Sequence, residues 1–185
     1  MPGAHVFPGG GVEAGETHQA AGLRELFEEA GIRLALVDLV PFARWRTPSF
    51  EARRFEAQFF VARMPRNQTP VLDTRETTGG DWLQASVALG RCRRREILLP
   101  LPTWTSLREI EPFATVDDVL TWAPTRPNAV REPRLVVQDD RKLLVLPGDP
   151  LNEDAWPEAP PIDSRFELEG DRWTPVPSRD YSRTP

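Results

Sequence analysis

The chain has 185 residues, with 23 basic against 28 acidic side chains and a net charge of −5. That balance argues against a protein held to nucleic acid by bulk positive charge. One cysteine (Cys92) and two histidines (His5, His18) exclude an internal disulfide framework and leave too few soft ligands for a structural zinc site.

No apolar run approaches the ~18 residues of a membrane span, and no signal-peptide pattern opens the sequence, so a cytoplasmic protein without a membrane partner is expected. Lys142 is the single lysine; we attribute this arginine bias to the codon usage of a GC-rich, bacterial-type genome. Eleven of the 20 prolines lie from Pro124 onward, which divides the chain into a denser part, 1–123, and a Pro-rich C-terminal extension, 124–185.

In chain order, residues 8–15 form a glycine-rich loop. Thr17 is placed to cap a helix running to about Ala30, and Gly31 stands where helices commonly stop. Leu34–Trp45 and Arg54–Met64 are expected as strands. Trp82 and Leu83 are expected as a short strand, followed by a helix through Ala88. Leu107–Ile110 and Val116–Trp122 are expected as helices. Arg134–Gln138 and Lys142–Leu146 flank an Asp-Asp-Arg turn, and Arg165–Glu169 and Arg172–Thr174 flank a Gly-Asp turn, which gives two small hairpins.

The chemistry lies between Gly10 and Ile32. On a helical wheel, Leu23, Leu26, Phe27 and Ala30 share one side, a core-facing stripe, and Glu25, Glu28 and Glu29 share the opposite one. Glu25 and Glu29 are like charges at i,i+4, which repel by roughly 0.2–0.5 kcal/mol when solvated. Glu28 and Glu29 also sit in the last turn, where the helix dipole disfavours anions. A solvated acidic face with an ordinary Arg24–Glu28 pair would carry no function. Two local rules broken at one place, however, mark a site where function overrides stability. A hard divalent cation such as Mg2+ reverses both penalties, since it takes carboxylate oxygens together with substrate phosphates. Gly9, Gly10 and Gly11 permit close backbone approach and offer carbonyl oxygens.

The spacing of Gly10, Glu16, Arg24, Glu25, Leu26, Glu28, Glu29, Gly31 and Ile32 resembles the Nudix box, the signature of the Nudix hydrolases. The resemblance implies an α/β/α sandwich with a mixed sheet, and Mg2+- or Mn2+-dependent hydrolysis of a nucleoside diphosphate linked to another moiety. It implies Gly9, Glu25, Glu28 and Glu29 as metal ligands, with Glu16 and Glu76 as further candidates. Glu25, Glu28 and Arg24 are implied as the catalytic group, with Glu25 placed to deprotonate or orient the attacking water. Three further segments, MPGAHVFPGG (1–10), RRFEAQFFVARMP (53–65) and LLPLPTWTSLREI (98–110), are similar to the subgroup related to peroxisomal coenzyme A diphosphatase. Coenzyme A or an acyl-CoA is therefore the first expected substrate.

Arg44, Arg46, Arg53 and Arg54 are candidates to meet phosphates, and Phe42, Trp45 or Phe55 to stack on a base. The run Arg91–Arg95 is expected as a solvated face, with Cys92 inside it given a lowered thiol pKa but no catalytic part. Nudix domains place one or two strands ahead of the glycine loop, and these are expected to be missing here, with Met1 corresponding to an internal methionine through a late-called start or a truncation; the alternative is that the C-terminal hairpins or a second subunit, as in a homodimer, complete the sheet. The alternative to hydrolysis is a non-catalytic, regulatory module that holds a nucleotide.

Overall fold

The computed structural model describes residues 3–71, 79–157 and 163–177. The first helix, α1 (His18–Ala30), begins where the Thr17 hydroxyl accepts a hydrogen bond from the Ala20 N–H (3.2 Å). It ends at Gly31, whose φ of 67° is a left-handed value that glycine tolerates best and whose N–H closes onto the Phe27 carbonyl at 2.8 Å. Strand β1 (Val40–Arg46) and strand β2 (Glu56–Val61) pair antiparallel. The expected strand from Leu34 starts later than its composition implies. The Asp38 carboxylate accepts the Ala35 N–H (2.8 Å) and folds Leu36–Asp38 into a 3-10 turn.

Helix α2 spans Ala85–Arg93, helix α3 Leu101–Ile110 and helix α4 Val116–Trp122. No strand forms at Trp82–Leu83; Trp82 is exposed, and α2 runs five residues past Ala88. Helix α3 starts at Leu101 rather than Leu107, because Pro102 falls in its first turn, where a missing N–H costs nothing.

Strand β3 (Val130–Arg131) returns to pair in parallel with Arg44 and Trp45, giving a mixed sheet of order β2-β1-β3. Strands β4 (Arg134–Gln138), β5 (Arg141–Val145), β6 (Arg165–Glu169) and β7 (Arg172–Pro175) are the two expected hairpins. β5 also pairs with β6, so the hairpins fuse into one antiparallel sheet of order β4-β5-β6-β7. Asp139 and Asp140 both take positive φ at the first turn (49° and 61°), a primed geometry that suits the twist of a hairpin.

The architecture is mixed α/β. Successive residues of a strand face opposite ways, and β2 uses both faces. Phe60 faces α1 at Gly22, where a side chain on the helix would come up against its ring, while Phe59 packs on the buried cluster that contains Ala88 and Leu89 of α2 and Leu101, Trp104 and Leu107 of α3. A register shift between Pro41 and Ala43 lets Phe42, Ala43 and Trp45 all enter that cluster. Leu144, Leu146 and Phe166, from the Pro-rich segment, are buried in the same cluster. Phe27, expected in the core stripe of α1, is exposed with the Arg33 guanidinium over its ring (3.7 Å); Ala21 and Ala30 are the buried positions of that helix. Among the described residues, no helix is long and apolar enough to cross a membrane.

Candidate active site

The glycine loop lies along α1, and Arg24 ties the two together. Its Nε donates to Glu16 Oε1 (3.2 Å), and Nη2 donates to Glu16 Oε2 (3.0 Å) and to the Gly11 carbonyl (2.8 Å). Its Nη1 donates to Glu25 Oε1 (2.6 Å) and Glu28 Oε2 (3.3 Å). Glu16 Oε2 also accepts the Glu13 N–H at 3.0 Å, so both Glu16 oxygens are engaged in bracing the loop. Arg24, and secondarily the Glu13 N–H, hold the Glu16 carboxyl below the usual carboxylate range; the bonds to Glu16 and Glu25 push the Arg24 guanidinium up from its ordinary value.

Two more contacts fix the loop to the helix. The Gly9 N–H donates to Glu29 Oε2 at 3.0 Å. Gly10 abuts the Glu25 carboxylate so closely that a Cβ there would overlap it, so any larger residue at this position displaces that carboxylate. The structure thus brings together Gly9, Glu16, Arg24, Glu25, Glu28 and Glu29. The helix buries Glu25, 14% exposed, and leaves Glu28 56% exposed.

The oxygens in this group are hard donors, and three carboxylates on one guanidinium leave a surplus of negative charge; in type, the set fits Mg2+ or Mn2+. Its disposition does not supply a ready-made cage. Among the described residues, no three His, Cys, Asp or Glu side chains are grouped to hold a metal ion, and Arg24 joins Glu16, Glu25 and Glu28. Glu76 lies outside the described residues.

The substrate candidates separate into two groups. Arg44 and Arg46 both bond Glu56, Arg46 at 3.0 Å; Arg46 (3.6 Å) and Arg54 (2.6 Å) share Glu132. The Arg44 bond, then the Arg46 bond, lower the Glu56 pKa. Arg46, Arg54, Glu56 and Phe55 line an open hollow of about 330 Å3, and Phe55 is 70% exposed. Arg53 is exposed. Trp45, by contrast, is 3% exposed, and Phe42 is also buried. Trp45 packs under Arg131 (5.4 Å), where a base cannot reach its ring without repacking the core. Burial also pushes the Cys92 thiol up, against the lowering expected from its arginine neighbours, because desolvation outweighs Arg93.

Two contributors escape a reading of the sequence. Glu132 reaches Arg54 across 78 positions, a pairing with no local pattern. The Gly11 carbonyl, expected as one of the oxygens offered to a metal, is instead taken by Arg24, a partner that no local pattern names.

With this geometry in place, the family follows. Residues 1–100 match the NUDIX domain, and the chain belongs to the Nudix family. Nudix hydrolases generally use divalent metals such as Mg2+ or Mn2+. Among curated proteins, the chain is similar to acyl-coenzyme A diphosphatase NUDT19 of Homo sapiens, 32% identical over 117 residues. That alignment covers 61% of this chain and 30% of the relative. No solved structure matches the chain.

Proposed function

We propose that this protein is a metal-dependent pyrophosphohydrolase that cleaves a nucleoside diphosphate linked to another moiety, with coenzyme A or an acyl-CoA as substrate. The observation that carries this reading is the Arg24-centred set of carboxylates, clamped to the glycine loop by Gly9 and Gly11. The similarity to an acyl-coenzyme A diphosphatase supports the substrate class.

In this reading Glu25, Glu28 and Glu29 hold the divalent cation with the Gly9 carbonyl, Glu25 and Glu28 exchanging Arg24 N–H groups for the ion. When bound, the cation neutralises pyrophosphate oxygens and acidifies a bound water. The chain itself does the positioning. Arg24 orients Glu25 and Glu28, and Gly10 lets the Glu25 carboxylate reach the loop, where it takes the proton of the attacking water. Water adds to one phosphorus, the bridging P–O bond breaks, and two monophosphates leave.

The nucleotide end falls to Arg46, Arg54 and Phe55, whose forks and exposed ring suit a phosphate beside a base; Arg44 supports them through Glu56.

The test is a product-release screen with Mg2+ or Mn2+ over coenzyme A, acyl-CoA, ADP-ribose, NADH, nucleotide sugars and nucleoside triphosphates. Expected is cleavage of coenzyme A or its esters to adenosine 3′,5′-bisphosphate and a phosphopantetheine. Saturable nucleotide binding without turnover on any of them would favour the non-catalytic module. Arg24's hold on Glu16, Glu25 and Glu28 is the observation that favours this second reading.

A further inference from the structure

We propose that the cavity between α2, α3 and the C-terminal sheet is a second ligand site, separate from the Arg24 centre. It takes a small oxyanion, a carboxylate or phosphate monoester, carried on a flat apolar ring. The cavity holds about 300 Å3 and is lined by Arg93, Trp104, Asp163, Pro175 and Pro177. That volume is at the small end of ligand sites, enough for one ring and its charged group.

Its charge sets it apart from the rest of the basic run. Arg91 pairs with Asp81 (3.1 Å) and Glu96 (3.7 Å), Arg94 with Glu96 (2.6 Å) and Arg95 with Glu169 (2.8 Å). Arg93 has no carboxylate partner among the described residues; its guanidinium lies over the Trp104 ring at 5.2 Å. A guanidinium stacked this way keeps its edge N–H groups for a planar oxyanion.

Asp163, the one acid on the wall, is paired with Arg108 (3.0 Å), which also bonds Glu111, so these charges are engaged with one another and Arg93 is the lining cation without a carboxylate partner among the described residues. Trp104 is 1% exposed and its indole nitrogen has no hydrogen-bond partner. A buried N–H is rarely left this way, and a ligand oxygen would satisfy it. The indole and the two prolines supply the apolar walls. A cation without a carboxylate partner and apolar faces therefore meet in one cavity, part of whose wall is the Trp104 side chain that carries the unsatisfied buried donor, and the walls come from both halves of the chain.

The experiment titrates phenyl phosphate, benzoate and phenol at constant ionic strength into 15N-labelled, metal-free protein. It follows the Trp104 indole N–H resonance, assigned with W104F, alongside the melting temperature. A saturable Trp104 shift with phenyl phosphate or benzoate, absent with phenol and at least tenfold weaker in R93A, supports the site; the anion that shifts it identifies the source as phosphate ester or carboxylate. The melting temperature rises with the same ligand in the parent protein and not in R93A. No shift with either anion, an equal shift with phenol, or an unchanged response in R93A overturns the proposal. The readout does not depend on hydrolysis, so its failure and that of the pyrophosphohydrolase reading are distinguishable.

Discussion

Two charge clusters of opposite balance define this molecule. Around Arg24, one guanidinium serves three carboxylates, Glu16, Glu25 and Glu28, with Glu29 held beside them on the Gly9 N–H. Around Glu56 and Glu132, three guanidiniums (Arg44, Arg46 and Arg54) share two carboxylates. Both clusters are internally hydrogen-bonded, yet the first retains negative charge and the second positive. Under the proposed function, such residual charge would draw a cation to the glycine loop and a phosphate to the end of the β1–β2 hairpin. A pyrophosphohydrolase needs both, one to work on the anhydride and one to hold the nucleotide.

The comparison is broken most sharply at Glu29. If the Arg24 cluster holds the ion, Glu29→Gln lowers metal-dependent kcat/KM by more than ~100-fold, beyond the roughly 10–100-fold that loss of an outer-shell partner costs. The melting temperature should change little, which differential scanning calorimetry alongside kinetics would check. Gly10→Ala comes next. Its Cβ meets the Glu25 carboxylate, so the side chain must move, and kcat should fall roughly 10–100-fold, since misplacing a catalytic group by about 1 Å costs on the order of 100-fold.

At the other cluster the effect is smaller and of another kind. Arg46→Ala or Arg54→Ala removes binding shared by ground and transition states, so KM rises about tenfold, ~1.4 kcal/mol, while kcat stays within about twofold. A fall in kcat with unchanged KM would move these arginines from substrate binding to the chemical step.

The smallest effect is on stability. Glu16 titrates below its ordinary 4.5 because Arg24 bonds it. Its contribution is fully present above that value and is lost as pH falls through the lower folded-state pKa. Glu16→Gln should therefore flatten the acid limb of a urea-unfolding series run from about pH 5.5 down to about pH 3, with little difference at neutral pH.

Both clusters are visible in the sequence to different depths. The Arg24 set is local: Thr17 and Gly31 bound a helix whose turn puts Glu25 and Glu28 within reach of the one Arg24 guanidinium, a juxtaposition that spacing alone implies. The end points of α4 and β4 were likewise fixed by nearby signals, the Thr115 cap and the Asp139–Asp140 turn. The arginine cluster is tertiary. Arg44, Arg46 and Arg54 were legible as cations near one another, but Glu132 arrives only when β3 returns beside β1. The same crossover, with the register shift at Pro41–Ala43, places Trp45 in the core rather than at a binding surface. The β5–β6 pairing that fuses the hairpins is another long-range choice that no short pattern encodes.

The claim on which all of this rests is that the α1 carboxylates bind a divalent cation against the glycine loop. Mn2+ titration followed by electron paramagnetic resonance tests it directly. The account predicts saturable binding that weakens by more than ~100-fold in Glu29→Gln, beyond the roughly 10–100-fold that loss of an outer-shell partner costs. Equal Mn2+ affinity in the parent protein and the variant, or no saturable binding in either, would contradict it.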